Sequence, residues 1–228
     1  MKHKGFTLAE ILISLGIIGV ISALSLPTFI TSTQNQTNAA RLSSTILELS
    51  KAFGQMMLDD DADSFEETSY GSDLDNTRFA NYINYTRVSD TLENLLSSEN
   101  NTYETVNSNG EAEETTDQET LSYLLENGAA VQVEKSEPHN DHFWGNIYID
   151  VNGKTTPNRF GRDIFALTLG QDGRLYPFGS SRQNEIVNGV ANVDWSNSEE
   201  PLVDCNNGNG NGLGCTARLM ENGYKVDY

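Results

Sequence analysis

The sequence predicts an α+β fold in which one long N-terminal helix packs on a C-terminal antiparallel β-sheet. No charged residue occurs from Ile11 to Ala40, which is typical of an apolar helix. The apolar residues that follow keep a helical spacing as far as Met56. From Phe143 onward, short β-branched and aromatic runs alternate with Asn-Gly and Asp-Gly turns. These patterns place the helix first and the sheet last.

The first part of the predicted helix has the length of a membrane span. Residues 11–26 are almost wholly apolar, and with residues 6–8 the segment approaches the ~20 residues that cross a hydrocarbon core. We therefore expect residues 6–30 to be transmembrane. Lys2 and Lys4 precede the segment, which favours a cytoplasmic N-terminus and an external remainder. A secretory signal peptide would carry its small-residue cleavage site at the far end, whereas Gly5 lies at the near end.

Two residues of this segment need an explanation. Glu10 places a carboxylate at the head of the apolar run, and an unpaired carboxylate inside a bilayer costs at least roughly 2–3 kcal/mol and is usually functional. Pro27 lacks an N–H group and is predicted to kink or loosen the helix.

The second half of the helix is predicted to be amphipathic. Successive apolar residues are spaced four, three, four and three positions apart, which places them on one helix face: Leu42, Ile46, Leu49, Phe53 and Met56. We expect one long helix over residues 6–58, with this face packed on a globular head.

Residues 59–137 form an acidic variable region with two solvated acidic runs, DDDADSFEE and NGEAEETTDQE. Between the runs, RFANYINYTRV fits a short helix or a strand, and TLENLL fits a helical turn. TDQETLSYLLENG predicts a capped helix ending at Gly128, and AAVQVE predicts a strand.

Residues 138–228 are predicted to form the β-sheet head. The runs NIYIDV, DIFALTLG, RLYPFG and YKVDY are strand-like, and the tight turns between them favour antiparallel pairing. The long helix is expected to cover one face of this sheet, and TARLMENG predicts a C-terminal helix before the last strand.

The two cysteines, Cys205 and Cys215, lie ten positions apart without a CxxC pair or a nearby histidine, so a zinc site is poorly supported. Because the chain is expected to cross a membrane, we predict a disulfide loop, with two free thiols as the alternative.

The candidate metal-binding residues are Asp150, Asn152 and Asp163. Calcium takes six to eight oxygen ligands, which an Asp-x-Asn turn, a later aspartate and carbonyl groups can supply. The alternative is a plain hairpin turn, because Asn152-Gly153 is a strong type I′ signal. No catalytic motif occurs, and we expect no enzyme activity.

The net charge is −19, from 33 acidic and 14 basic residues. A field of this sign repels phosphate backbones, so no general nucleic-acid binding is expected.

The segment Lys4-Gly5-Phe6-Thr7-Leu8-Ala9-Glu10, followed by the apolar run and Pro27, resembles the class III leader of type IV pilins and type II secretion pseudopilins. WGNIYIDVNGKTTPNRFGRDIFALTLGQDGRLYP is similar to the sheet region of pilin-like proteins. The resemblance implies a pilin-like fold and a prepilin leader, residues 1–5. It also implies cleavage after Gly5 by a prepilin peptidase and N-methylation of Phe6.

By the same resemblance, Glu10 pairs with the N-terminus of a neighbouring subunit at Phe6, and Pro27 lies where the helix melts during assembly. Some major pseudopilins bind calcium in the loop region near the C-terminus, which makes Ca²⁺ the one candidate cofactor.

The expected function is that of a structural subunit in a type IV pilus or type II secretion filament. Its expected partners are other pilin-like subunits, the prepilin peptidase, the inner-membrane assembly platform and the membrane. The subunit would first sit in the inner membrane as a single-pass protein with its head outside, and later in a periplasmic or cell-surface filament. The alternative is a membrane-tethered extracellular binding or hydrolytic domain with an uncleaved signal anchor.

Overall fold

The computed structural model describes residues 7–98, 102–107, 119–136, 142–156, 158–180, 205 and 211–226, except for the side chain of Thr28. Two compact units make up the chain, residues 1–37 and residues 38–228. Helix α1 runs from Leu8 to Asp59, within one or two residues of the predicted bounds. It ends before Asp61, whose φ of 49° lies in the left-handed region that a helix cannot continue.

Short helices follow α1 in the region that was predicted to be acidic and variable. They are a 3₁₀ turn at Phe65–Glu67, α2 at Ser69–Asp73, α3 at Asn76–Phe79 and α4 at Leu92–Leu96. Each α-helix begins after a side chain that accepts a hydrogen bond from a first-turn amide: Thr68, Asp75 and Thr91. The helical turn predicted at TLENLL is therefore confirmed as α4.

Within the described residues the sheet has six strands, each antiparallel to the next in chain order. The strands are β1 (Tyr85–Ser89), β2 (Thr120–Leu125), β3 (Ala130–Lys135), β4 (Phe143–Asp150), β5 (Ile164–Gly170) and β6 (Leu175–Pro177). Helix α5 (Cys215–Glu221) follows and confirms the predicted C-terminal helix. The α+β prediction, with a long N-terminal helix and an antiparallel sheet, is confirmed.

One element has a different type from the prediction. The segment predicted as a helix ending at Gly128 is strand β2, which pairs with β3 along its length. Gly128, at a φ of 86°, forms the hairpin turn between β2 and β3, where the Leu125 amide donates to the Ala129 carbonyl at 2.9 Å. Glycine serves both a helix end and a hairpin turn through the same left-handed conformation, so the sequence signal was ambiguous.

Two boundaries also differ from the prediction. Strands β1, β2 and β3 all precede residue 138, so the sheet begins inside the region predicted to be acidic and variable. At the other end, residues 224–226 of the predicted strand YKVDY are not in a strand, and Tyr224 has a left-handed φ of 62°.

The second half of α1 packs on one face of the sheet, as predicted. All five residues of the predicted stripe are buried and belong to one hydrophobic core. Because side chains alternate along a strand, β2, β3 and β5 contribute alternate residues to this core. The sheet residues in the core include Val131, Val133, Ile147, Ile149, Phe165, Leu167 and Leu169.

The opposite face of the sheet is also covered, which the sequence did not predict. A second hydrophobic cluster joins α4 to the segment 102–107 and to the ends of β3, β4 and β5. Its buried members are Leu92, Leu95, Leu96, Tyr103, Ala130, Phe160 and Ile164. The head is therefore layered on both faces of the sheet at the end where β4 passes to β5.

Candidate functional site

The first turn of α1 is closed by a reciprocal pair of side chains. The Thr7 hydroxyl accepts a hydrogen bond from the Glu10 amide at 3.3 Å. The Glu10 carboxylate accepts from the Thr7 amide at 2.8 Å and from the Thr7 hydroxyl at 2.9 Å. This is a capping box, which satisfies amides that the helix itself leaves unpaired. Gly5 and Phe6, the predicted processing residues, lie outside the described residues.

The apolar side chains of the first unit are exposed on every side of the helix. From Leu8 to Ile30, the large hydrophobic residues expose between 48% and 78% of their surface. Within the described residues, α1 is the one helix long and apolar enough to cross a membrane. An all-round apolar helix of this kind needs lipid or other protein around it.

Three hydroxyl groups in and after the apolar run are hydrogen-bonded within the helix. Ser14 donates to the Glu10 carbonyl at 2.7 Å, and Ser25 donates to the Ile21 carbonyl at 2.9 Å. Thr31 donates to the Pro27 carbonyl at 3.0 Å. These bonds to the carbonyl four residues earlier mean that these three hydroxyl donors are not desolvated unpaired, which suits an apolar surrounding.

Helix α1 continues through Pro27. Proline lacks the N–H that would reach the carbonyl of Ala23, so one helical hydrogen bond is missing there. The proline therefore weakens one turn of the helix without ending it.

The disulfide between Cys205 and Cys215 is formed, as predicted. Both cysteines are buried, and the Arg218 side chain donates to the Cys205 carbonyl at 2.8 Å. The bond lies against the connection between β4 and β5, because a Cβ placed on Gly161 would come within 2.5 Å of the Cys215 sulfur. The disulfide thus joins the start of α5 to Cys205 and packs against this connection.

The three candidate metal-binding residues lie together in the connection between β4 and β5. Asp150 and Asp163 are both fully buried. Asn152 contacts both carboxylates: its backbone amide donates to Asp150 at 3.0 Å, and its side-chain amide donates to Asp163 at 3.2 Å. The connection between these paired strands spans residues 151–163, so it is longer than a two-residue type I′ turn, and a plain hairpin without a metal stays an open alternative.

Two further residues of this cluster were missed by sequence reasoning. The Tyr103 hydroxyl donates to the Asp150 carboxylate at 2.7 Å, and the backbone amide of Asn158 donates to the Asp163 carboxylate at 3.2 Å. Tyr103 is 47 residues away from Asp150 in the sequence, so no local pattern pointed to it. Asn158 has a φ of 50°, and Asn is one of the few residue types that adopt this conformation readily.

Burial dominates the electrostatics of the cluster. Desolvation raises the pKa of Asp150 to about 7, and the neighbouring negative charge of Asp163 adds to the increase. Desolvation also raises the pKa of Asp163, against the lowering effect of the hydrogen bonds from Arg159, Asn152 and Asn158. Among the described residues, no three His, Cys, Asp or Glu side chains form a metal-binding group, so a cation here would also need amide oxygens.

Comparison with protein-family models matches residues 1–26 to the prokaryotic N-terminal methylation motif. This is the signature of type IV pilins and pseudopilins, and it confirms the resemblance over those residues. Searches of curated proteins and of solved structures found no match. The chain therefore carries a pilin-type N-terminus on a long apolar helix, followed by an α+β head.

Proposed function

We propose that the chain is the precursor of a structural subunit in a filament of the type IV pilus or type II secretion class. The observation that carries the proposal is the methylation motif at residues 1–26, which leads directly into the apolar part of α1. A precursor of this kind is anchored in a membrane and assembles with other pilin-like subunits.

Processing would occur between Gly5 and Phe6, by a prepilin peptidase on the cytoplasmic side. Cleavage gives Phe6 a new amino group, which the same enzyme methylates. The helix that remains begins at its own capping box and keeps the whole apolar segment. The subunit would then pass from the inner membrane, where the head lies outside, into the filament through the assembly platform.

Assembly would place the apolar residues of α1 against those of neighbouring subunits. Their exposure on all sides of the helix supports this role, because each would exchange lipid contact for protein contact. Glu10 would pair with the amino group of Phe6 in a neighbour. Burying two opposite charges as a pair costs less free energy than burying each of them alone. The pair would therefore fix the register of docking. Pro27 would provide the weakened turn at which the helix melts during assembly.

The experiment that tests the proposal is the intact mass and N-terminal peptide of the protein purified from the membranes of its own host. A chain that starts at N-methylated Phe6 is the expected result. A chain that starts at Met1, or one cut beyond Leu26, would overturn the proposal and support a tethered extracellular domain instead.

A further inference from the structure

The connection between β4 and β5 buries two carboxyl groups close together. Asp150 is the last residue of β4, and Asp163 immediately precedes β5. The sheet pairs Asp150 with Ile164, which brings the two aspartates to the same end of the hairpin. Asn152 then joins them, with its backbone amide on one carboxylate and its side-chain amide on the other.

Within the described part of the chain, no side-chain cation forms an ion pair with either carboxylate. The ion pairs found among the described residues are Arg78–Asp60 and Arg174–Asp172, both elsewhere in the head. The donors to Asp150 and Asp163 are neutral: the Tyr103 hydroxyl, the Asn152 side chain and backbone amides. Arg162 is exposed and acts on Asp163 only through space. Buried carboxylates without a paired cation are costly.

Two side-chain amide oxygens of this connection are buried and accept no hydrogen bond. They are the side-chain oxygens of Asn152 and Asn158. Asn158 is only 4% exposed, and its own backbone amide contacts the Asp163 carboxylate. The Asn152 oxygen belongs to the same amide group whose nitrogen lies 3.2 Å from Asp163. Buried acceptors without a donor are rare in folded proteins and call for a partner.

We propose that this connection binds one calcium ion through the carboxylates of Asp150 and Asp163 and the side-chain oxygens of Asn152 and Asn158. The Asn152 side chain now turns its nitrogen toward Asp163, and a half-turn of the amide replaces this hydrogen bond with an oxygen beside the ion. The amide oxygen and nitrogen have nearly the same shape, so the flip needs no extra space. The ion neutralises both carboxylates and gives the two amide oxygens a partner.

The donor set selects the class of ion. All four side chains offer oxygen and none offers sulfur or imidazole nitrogen, which favours a hard cation. Calcium accepts irregular arrangements of six to eight oxygens, whereas magnesium demands a compact octahedron. A loop of 13 residues, 151–163, supplies the irregular arrangement more readily. The site lies between β4 and β5 and not in the C-terminal loop.

Binding here would stabilise more than the loop itself. The Asn38 side chain donates to the Arg162 carbonyl at 3.2 Å, and the Arg41 side chain donates to the Val151 carbonyl at 3.3 Å. Both donors are on α1, so the connection joins the helix to the sheet. The inference does not depend on the proposed filament role.

The test uses the full-length chain in detergent, freed of divalent ions with a chelator. Calcium is added while thermal unfolding is followed, and magnesium at equal ionic strength is the comparison. We expect the Tm to rise with calcium, to saturate at one ion per chain by calorimetry, and to change much less with magnesium. No calcium-dependent change, or equal effects of both ions, would overturn the proposal, because equal effects indicate only screening of the −19 net charge.

A second readout is terbium luminescence, because Tb³⁺ takes the same ligands as calcium and Tyr103 touches Asp150. Asp163→Asn is expected to weaken ion affinity by at least about tenfold. Asp172→Asn is the matched control, since Asp172 lies in the β5–β6 turn and is bonded to Arg174 and Tyr176. Equal losses in both variants would overturn the assignment.

A third variant covers the case in which Asp163→Asn does not fold. Asn158→Gly keeps the left-handed backbone and the backbone amide that contacts Asp163, and it removes the side chain that carries the orphaned oxygen. We expect it to fold and to bind calcium several-fold more weakly. Unchanged affinity in this variant would remove Asn158 from the site and contradict the proposal.

Discussion

The carboxylate of Glu10 accepts two hydrogen bonds from Thr7, one from its backbone amide at 2.8 Å and one from its hydroxyl at 2.9 Å. This contact gives Glu10 a role within its own chain, whereas the proposed docking gives it a role between chains. The two roles need different chemistry. A helix cap needs an acceptor oxygen, and pairing with a neighbour's amino group needs a negative charge.

Glu10→Gln is expected to abolish filament assembly and to leave the helix intact. Glutamine keeps an acceptor oxygen for Thr7 but carries no charge, so the cap survives while the pairing with Phe6 of a neighbour is lost. The measurement compares the amounts of subunit in sheared filaments and in membranes. Circular dichroism of the purified chain checks the helix.

Thr7→Ala is the matched control for that experiment. It removes the capping hydroxyl, at a cost of about 0.5–2 kcal/mol of helix stability, and keeps the Glu10 charge. We expect this variant to assemble. If Glu10→Gln assembles normally while Thr7→Ala does not, Glu10 acts as a cap and the docking role is wrong.

Gly161→Ala is expected to destabilise the head by about 1–3 kcal/mol. Gly161 has a φ of 80°, which is strained for alanine, and the added Cβ would lie 2.5 Å from the Cys215 sulfur. Urea unfolding of the full chain in detergent measures the change.

Gly54→Ala is the control for this substitution. Gly54 lies within α1, and an added Cβ there meets nothing within 4 Å. Alanine should stabilise the helix by about 0.5–1 kcal/mol. Opposite signs for the two variants are the expected result, and equal effects would contradict the close approach of Gly161 to the disulfide.

The sequence predicted the parts of the fold that local pattern determines. The stripe from Leu42 to Met56 repeats long enough to specify both the helix and its buried face. The segment of strand β2 was wrongly predicted to be a helix, because its six residues are too few to separate a helical from an alternating pattern. Its partner β3 decides its conformation, and pairing with a partner is not visible in the segment itself.

The candidate cation site shows the same limit. Asp150, Asn152 and Asp163 stand out in the sequence because they flank a turn, and the structure brings them together. Tyr103 reaches Asp150 only because the chain returns over the second face of the sheet. A contact between segments so far apart in the sequence depends on the tertiary fold, so no local pattern predicts it.

Replacing both cysteines with serine is expected to lower the free energy of unfolding by about 2–3 kcal/mol. The Cys205–Cys215 bond closes a loop of ten positions and so restricts the unfolded chain. Urea unfolding measures the difference. A reducing agent should destabilise the native chain by a similar amount and leave the double variant unchanged, and a native chain indifferent to the reducing agent would contradict the prediction.

Glu134→Gln is expected to stabilise the head at neutral pH and to have little effect near pH 4. Glu134 is only 7% exposed, and burial raises its pKa above the ordinary value of 4.5, opposed by the hydrogen bond that Asn146 donates at 3.3 Å. The folded state therefore holds this proton more tightly than the unfolded state does. Stability is greatest below the ordinary pKa and falls as the pH rises toward the raised pKa of the folded state.

Urea unfolding of both proteins at pH 4 and pH 7 measures this difference. Glutamine keeps an oxygen for Asn146 and has no charge to bury, so the variant should gain stability relative to the native chain only at the higher pH. Glu93→Gln, at an exposed position on α4, controls for the loss of one negative charge from an acidic protein. A gain at Glu134 that is equal at both pH values, or no larger than at Glu93, would show that ionisation of the buried carboxylate does not limit the stability of the sheet.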